Sequence, residues 1–271
     1  MRPKYAALLL LPLLTVVFAL LVWPLCVLGY ASLHRHASFS CDNYIKIFGD
    51  EFFRTALLHS LFLSFLVAVA ATMICIGPAW LLAQHEFRGK RIVRSAFTLP
   101  MSLSGIMVGF LAVVMLGRVG FIPQMSEKLT GTAWLSGTAY QLTGLVTAYL
   151  YFEIPRGVLS LETAFKKFDA QLTVAAAALG ASGWQRFRWV TVPLIRPALL
   201  STFALTYSVS LGSFGVAMIL SRRFSVLPLE LFHQFTAMSN APLASAMAVS
   251  LALIALLVQW LTVETSSHAA R

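Results

Sequence analysis

The chain has 271 residues, of which 59% are hydrophobic and only 11% charged, with a formal net charge of +10 and a mean hydropathy of +0.81. One soluble core cannot hide that much apolar surface, so a soluble globular fold is excluded and an all-α integral membrane protein is expected. The positive charge does not call for nucleic acid: the cations lie mainly in short loops beside apolar stretches, where cytoplasmic retention and anionic headgroups account for them.

Six stretches have about the length a helix needs to cross roughly 30 Å of hydrocarbon. The first runs from Tyr5 to Tyr30, and its apolar part is longer than the ~7–15 residues of a signal peptide, which favours a retained span. The outer loop that follows holds His34, Arg35, His36 and Cys41. The two histidines are read as solvated loop residues rather than metal ligands, and three cysteines without a CxxC or Cys/His pattern predict neither a disulfide framework nor a metal site.

The second span is Leu57 to Ala83. In the basic turn behind it, Gly89-Lys90 lacks the rest of a phosphate-binding loop, since Gln84 stands at the first glycine position and Arg91 where Ser or Thr belongs. With no nucleophile elbow and no HExxH either, the chain is not expected to be an enzyme or to hold a cofactor. The third span, Ser95 to Gly117, contains Gly105-x-x-x-Gly109, a close-packing pattern. The fourth, Leu142 to Ser160, is the least apolar and carries Glu153, Pro155 and Arg156. Ionisable groups are costly in a membrane, and at three residues apart Glu153 and Arg156 share a helix face, so an ion pair near the inner mouth is expected ahead of solute contact.

From Leu161 the spacing of Phe165, Phe168, Leu172 and Ala176 predicts a surface helix to Leu179. Ala175 to Ala178 present almost no bulk, Gly180 supplies a left-handed helix end, and Ala181-Ser182-Gly183 permit a reversal. A second short helix, Trp184 to Val192, is expected to stop at Pro193. The fifth span, Leu194 to Leu220, gathers Thr206, Tyr207, Ser208, Ser210 and Ser213 around Gly212 and Gly215; these hydroxyls either line a solute pathway or bond a neighbouring helix. The sixth span is Ala244 to Val263, followed by a short tail at 266–271.

Placing both termini in the cytoplasm puts twelve Lys and Arg inside, including Arg88 to Arg94, Lys166, Lys167, Arg186, Arg188 and Arg196, against seven outside. The roughly 30-residue connection between spans four and five then lies inside. Its length and small-residue surface suit docking into a groove on another protein, although an ordinary interhelical loop is the plainer alternative.

That connection resembles the EAA loop of binding-protein-dependent ABC importer permeases, whose pattern is Glu-Ala-Ala, three residues, Gly, nine residues, then Ile-x-Leu-Pro. Here Ala175, Ala176, Gly180, Val190, Val192 and Pro193 fall in that register, Ala181 follows the glycine as it commonly does, and Val174 replaces the glutamate. The likeness extends more loosely over 55–265, with 1–54 as a peripheral first span and outer loop. It implies a type I importer fold in a bacterial inner membrane. It also implies two permease subunits, like or unlike, two ATPase subunits that hold ATP and Mg and dock on the loop at about 161–193, and an external solute-binding protein. The solute class nearest in flavour is that of polyamine, ferric iron and phosphonate permeases. An integral-membrane enzyme acting on lipid-borne substrates would need paired intramembrane acids or histidines, and a secondary transporter repeated half-helices or several midplane charges.

Overall fold

The computed structural model describes residues 12, 14–35, 38–133, 136–167, 170–222 and 224–269, and they are almost entirely helical. Helix α1, Leu14–Ser32, passes through a π turn at Phe18–Val22. A two-residue ladder pairs β1, His34–Arg35, with β2, Ser38–Phe39, and the short amphipathic α2, Asp42–Gly49, tucks Asn43 and Ile47 inward. Asn43 Nδ2 donates to the Ser32 carbonyl at 2.9 Å, tying α2 to the end of α1.

Helix α3, Glu51–Gln84, starts where the Asp50 carboxylate accepts from the Phe52 N–H at 2.9 Å. Its 34 residues make a rod of about 51 Å, well beyond the ~30 Å hydrocarbon layer, so it projects past the membrane. The turn to α4, Lys90–Ser102, uses Gly89 at φ 90°. There, Lys90 Nζ donates to exposed Glu86 at 2.6 Å, which holds that carboxyl below its usual range. Next come α5, Gly105–Leu116; α6, Phe121–Thr130; α7, Leu142–Lys166; α8, Ala170–Ala178; α9, Gly183–Leu211; α10, Phe214–Leu220; α11, Leu227–Thr236; and α12, Ala241–Ala269.

Helices α3 and α7 form the spine. At one end Leu63 and Val67 of α3 and Leu145 and Tyr149 of α7 pack with Val108 and Ala112 of α5 and Val216 and Leu220 of α10. On another flank, Ala56, Leu57 and Ala68 of α3 meet Tyr207 and Leu211 of α9 and Leu243, Ala246 and Met247 of α12. At the end nearest α8, Cys75, Ala79 and Leu82 pack against Val158, Leu161, Phe165 and Ile195.

Among the described residues, five helical stretches are long and apolar enough to cross a membrane: Leu14–Ser32, Glu51–Gln84, Gly105–Thr130, Gly183–Leu211 and Ala241–Thr265. The fourth expected span is the 25-residue α7, too polar to qualify because Glu153, Arg156 and Glu162 interrupt it. The third and fifth expected spans are each broken. Leu103 closes one helix and Ser104 caps the next, its Oγ accepting from the Met107 N–H at 3.3 Å; Gly212 and Ser213 separate α9 from α10.

The expected surface helix from Leu161 is also corrected. Leu161 and Phe165 are 0% and 1% exposed and belong to the core end of α7, and the surface helix begins only at Ala170. Their apolar side chains fill the α3–α7–α9 cluster, an outcome that periodicity alone does not separate from a surface stripe. Pro193 does not end a helix either. A π turn at Phe187–Thr191 precedes it, and α9 runs through both Pro193 and Pro197. The widened turn changes which carbonyls seek donors, so a residue without an N–H is accommodated. The positions Arg2, Lys4, Tyr5, His36, Phe168, Arg223 and Arg271, and the end of the C-terminal tail, lie outside the described residues.

Candidate functional site

The α8–α9 hairpin holds the loop residues picked out from the sequence. Alanines favour α8, and its end is closed by a paired motif: the Gly180 N–H donates to the Ala177 carbonyl at 3.0 Å and the Ala181 N–H to the Ala176 carbonyl at 3.1 Å. Gly180 has φ +84°, and a Cβ built there meets nothing within 4 Å, so the glycine is required by backbone conformation and not by space. Helix α9 opens on a capping box, with the Gln185 N–H donating to Ser182 Oγ at 3.3 Å and the Ser182 N–H to Gln185 Oε1 at 2.7 Å. The tip is bare: Val174 is 66% exposed, Leu179 89% and Trp184 71%. Ala175 and Gly183 are exposed, while Ala176, Ala181, Val190 and Val192 are half-buried. Pro193, exposed, lies within α9.

Glu153 and Arg156 face each other on α7. Arg156 Nη1 donates to both Glu153 carboxylate oxygens at 2.9 Å, with the carboxylate side chain 1% exposed and the guanidinium side chain 22%. The arginine also lies over the Phe152 ring at 5.0 Å. A second acid, not singled out from the sequence, lies nearer the loop: Glu162 is buried, with Lys166 Nζ at 2.7 Å and Arg94 Nε of α4 at 3.5 Å. Neither cation is aligned for a hydrogen bond with it. The Glu162/Lys166 spacing of i, i+4 was a legible signal; the approach of Arg94 was not.

The six candidate pathway positions divide. Thr206, Tyr207 and Ser210 are buried, Tyr207 with the α3–α12 cluster, and the Thr206 and Ser210 hydroxyls have no hydrogen-bond partner among the described residues. Ser208 and Gly212 border a cavity of about 420 Å³ with Phe214 and Phe232, and Gln259 Nε2 donates to Ser208 Oγ at 3.3 Å. The Ser213 carbonyl accepts from Tyr149 Oη at 2.8 Å, which pins the α9–α10 break to α7. That break lies beside the one between α4 and α5. A Cβ on Gly215 would fall 2.8 Å from the Ile106 nitrogen, and one on Gly105 3.3 Å from the Gly215 Cα. Gly109 likewise faces Ile219, where a Cβ would come within 2.8 Å. The Gly105-x-x-x-Gly109 face is thus the seat of α10.

At the end of the spine opposite the hairpin, Arg118 and Arg222 border a cavity of about 550 Å³ with Ser136, Gly137, Tyr140 and Gln141. Arg222 lies over the Tyr140 ring at 4.7 Å, and neither arginine has an acidic partner among the described residues. Sequence reasoning missed this pair because its members are about a hundred residues apart. His34 is engaged locally, stacked on Tyr30 at 3.8 Å with Nδ1 2.7 Å from the Tyr30 carbonyl oxygen, and no cluster of potential metal ligands occurs among the described residues.

Comparison with known proteins agrees with this architecture. The chain is 30% identical over 224 residues to the molybdenum transport system permease protein ModB of Escherichia coli K12, covering 80% of this chain and 96% of that one. It is 26% identical over 239 residues to the sulfate transport system permease protein CysW of Synechocystis, covering 87% and 83%. Its fold matches a chain in the crystal structure of a bacterial alginate ABC transporter in complex with alginate pentasaccharide-bound periplasmic protein, with a TM-score of 0.80, 19% identity and coverage of 100% and 95%. Residues 75–263 match the family of binding-protein-dependent transport system inner membrane components, and the chain, a multi-pass permease of the ABC importer type, belongs to that family.

Proposed function

We propose that the chain forms one half of the membrane pathway of an ATP-driven importer for a small anionic solute. A second permease subunit supplies the other half, ATPase subunits that hold ATP and Mg dock on the α8–α9 hairpin from the cytoplasm, and an external solute-binding protein delivers the solute to the opposite face. The observation that carries the reading is the hairpin: a projecting helix of small side chains whose two limbs are locked by local motifs at Gly180 and Ser182. A preformed, low-bulk helix fits a partner groove with little ordering cost. Val174 carries no charge, so shape supplies the docking.

The anion preference rests on Arg118 and Arg222, which give the outer end a positive cavity that repels a polyamine and attracts an oxyanion. Sulfate, carried by the system of one relative, is such an anion. Within this reading Ser208 and Gly212 border the pathway, whereas Thr206, Tyr207 and Ser210 are buried between helices, away from it.

Co-purification tests the docking. The wild-type chain is expected to retain an ATPase subunit in detergent, and Gly180→Val to reach the membrane normally yet lose that subunit or its solute-stimulated hydrolysis in vesicles. Wild-type values for both would remove the hairpin from the coupling role, and transport by the chain alone in a proton or sodium gradient would make it a secondary transporter instead.

A further inference from the structure

A cavity of about 840 Å³ lies behind the hairpin between the end of α3, the end of α7 and the start of α9. Its α3 wall is Met73, Ile76, Gly77 and Trp80, residues on successive turns of one face, with Met73 68% and Trp80 44% exposed. Its hairpin end is polar, closed by Gln84, His85 and Arg186. Gln84 Nε2 is already committed to the Phe165 carbonyl at 3.1 Å, and the His85 ring packs edge-on to Trp80 at 5.0 Å. Arg186 is different: its Nε is buried without a hydrogen-bond partner, and no carboxylate among the described residues pairs with the guanidinium. A buried, unpaired guanidinium donor calls for an acceptor, preferably an anionic one.

The two ends of the cavity therefore ask for different chemistry in one occupant, apolar along α3 and anionic at Arg186. We propose that the cavity binds one anionic phospholipid of the leaflet on the hairpin side, its phosphate on Arg186 and an acyl chain along Met73, Gly77 and Trp80. A free phosphate leaves the α3 wall bare. A soluble subunit does not reach Met73, which lies about 16 Å of helix deeper than Gln84. Tryptophan beside the headgroup is the usual arrangement at a membrane interface, and basic pockets between spanning helices on that side hold acidic lipid heads. Thr173 of α8 and Gly183 of α9 also line the cavity, so the lipid braces both limbs of the hairpin from behind.

Two variants separate the parts of the site. Arg186→Gln removes the anion contact. Gly77→Leu fills the apolar half, and it does so without a backbone clash at the first atom, since a Cβ at Gly77 meets nothing within 4 Å. The full chain is reconstituted in nanodiscs of phosphatidylcholine with phosphatidylglycerol, washed into detergent, and weighed by native mass spectrometry. The wild type is expected to retain one phosphatidylglycerol several-fold more often than phosphatidylcholine. Arg186→Gln should bring the two lipids level, Arg186→Lys should keep most of the preference, and Gly77→Leu should lower retention of both. Millimolar inorganic phosphate should not displace the lipid. Amide exchange over 172–191 should be slower in phosphatidylglycerol than in pure phosphatidylcholine. Equal retention of the two lipids by the wild type, undiminished preference in Arg186→Gln, displacement by phosphate, or unchanged exchange would each overturn the proposal. If Arg186→Gln does not accumulate, Gly77→Leu decides by occupancy, with full retention counting against the site.

Discussion

Glycine serves opposite purposes in two regions of this molecule. At the crossing of α5 and α10, Gly105 and Gly215 stand where another residue's Cβ would press on backbone atoms, and the nearby break is tied to α7 by Tyr149. At the hairpin tip, Gly180 has empty space around it and is held only by its own φ. The crossing is specified by volume and the tip by conformation. Substitutions at the crossing should therefore register as lost stability, and those at the tip as lost partnership.

The largest effect is expected just behind the crossing, at the Glu153–Arg156 pair of α7. Removing Glu153 alone strands a guanidinium beside Phe152 and should cost about 3 kcal/mol or more. A double change to Glu153→Leu and Arg156→Met should cost less than either single change, as a double-mutant cycle of unfolding in detergent would measure. Strictly additive costs would show that the two residues act separately. Next in size is Gly215→Val, which forces backbones apart and should lower stability by about 1–3 kcal/mol, visible as a reduced melting temperature. An unchanged melting temperature would show that α10 is not seated on α5. Smaller again is Gly180→Val, where the left-handed backbone costs about 1–2 kcal/mol locally; because the tip frays without unfolding the spans, the melting temperature should barely move while ATPase retention falls. The smallest perturbation is chemical: Cys41, exposed at the start of α2, should react with an impermeant thiol reagent added from outside without loss of stability. Labelling only from the hairpin side would reverse the expected topology.

The apolar runs placed the helices because hydropathy reports burial in lipid directly, and Gly180 was legible because an alanine run followed by glycine is a local statement. The breaks were harder to see. Ser104 and Gly212 sit inside runs that stay apolar on both sides, so a hydropathy window passes over them, and only the cap at Ser104 marks the first. Phe165 was assigned to a surface helix because its spacing with Phe168, Leu172 and Ala176 makes an apolar stripe, yet the helix end and the membrane edge do not coincide: α7, like α3, continues beyond the apolar stretch. Pro193 misled for a related reason, since its usual effect assumes regular spacing and the π turn before it supplies another. Juxtapositions of distant segments, such as Arg94 beside Glu162 or Arg118 and Arg222 on one cavity, leave no mark in sequence spacing.

The unbroken course of α9 has a mechanical consequence. Its 29 residues run from Gly183 at the hairpin to Leu211 beside the Gly212 break without an intervening loop, a rod of about 43 Å. The π turn at Phe187–Thr191 and the prolines Pro193 and Pro197 alter its pitch near the hairpin, but no loop interrupts it, so a displacement imposed at the hairpin end would be carried along the helix to Gly212. The Gly212–Ser213 break, tied to α7 by the Tyr149 hydroxyl, is the first interruption such a displacement would meet.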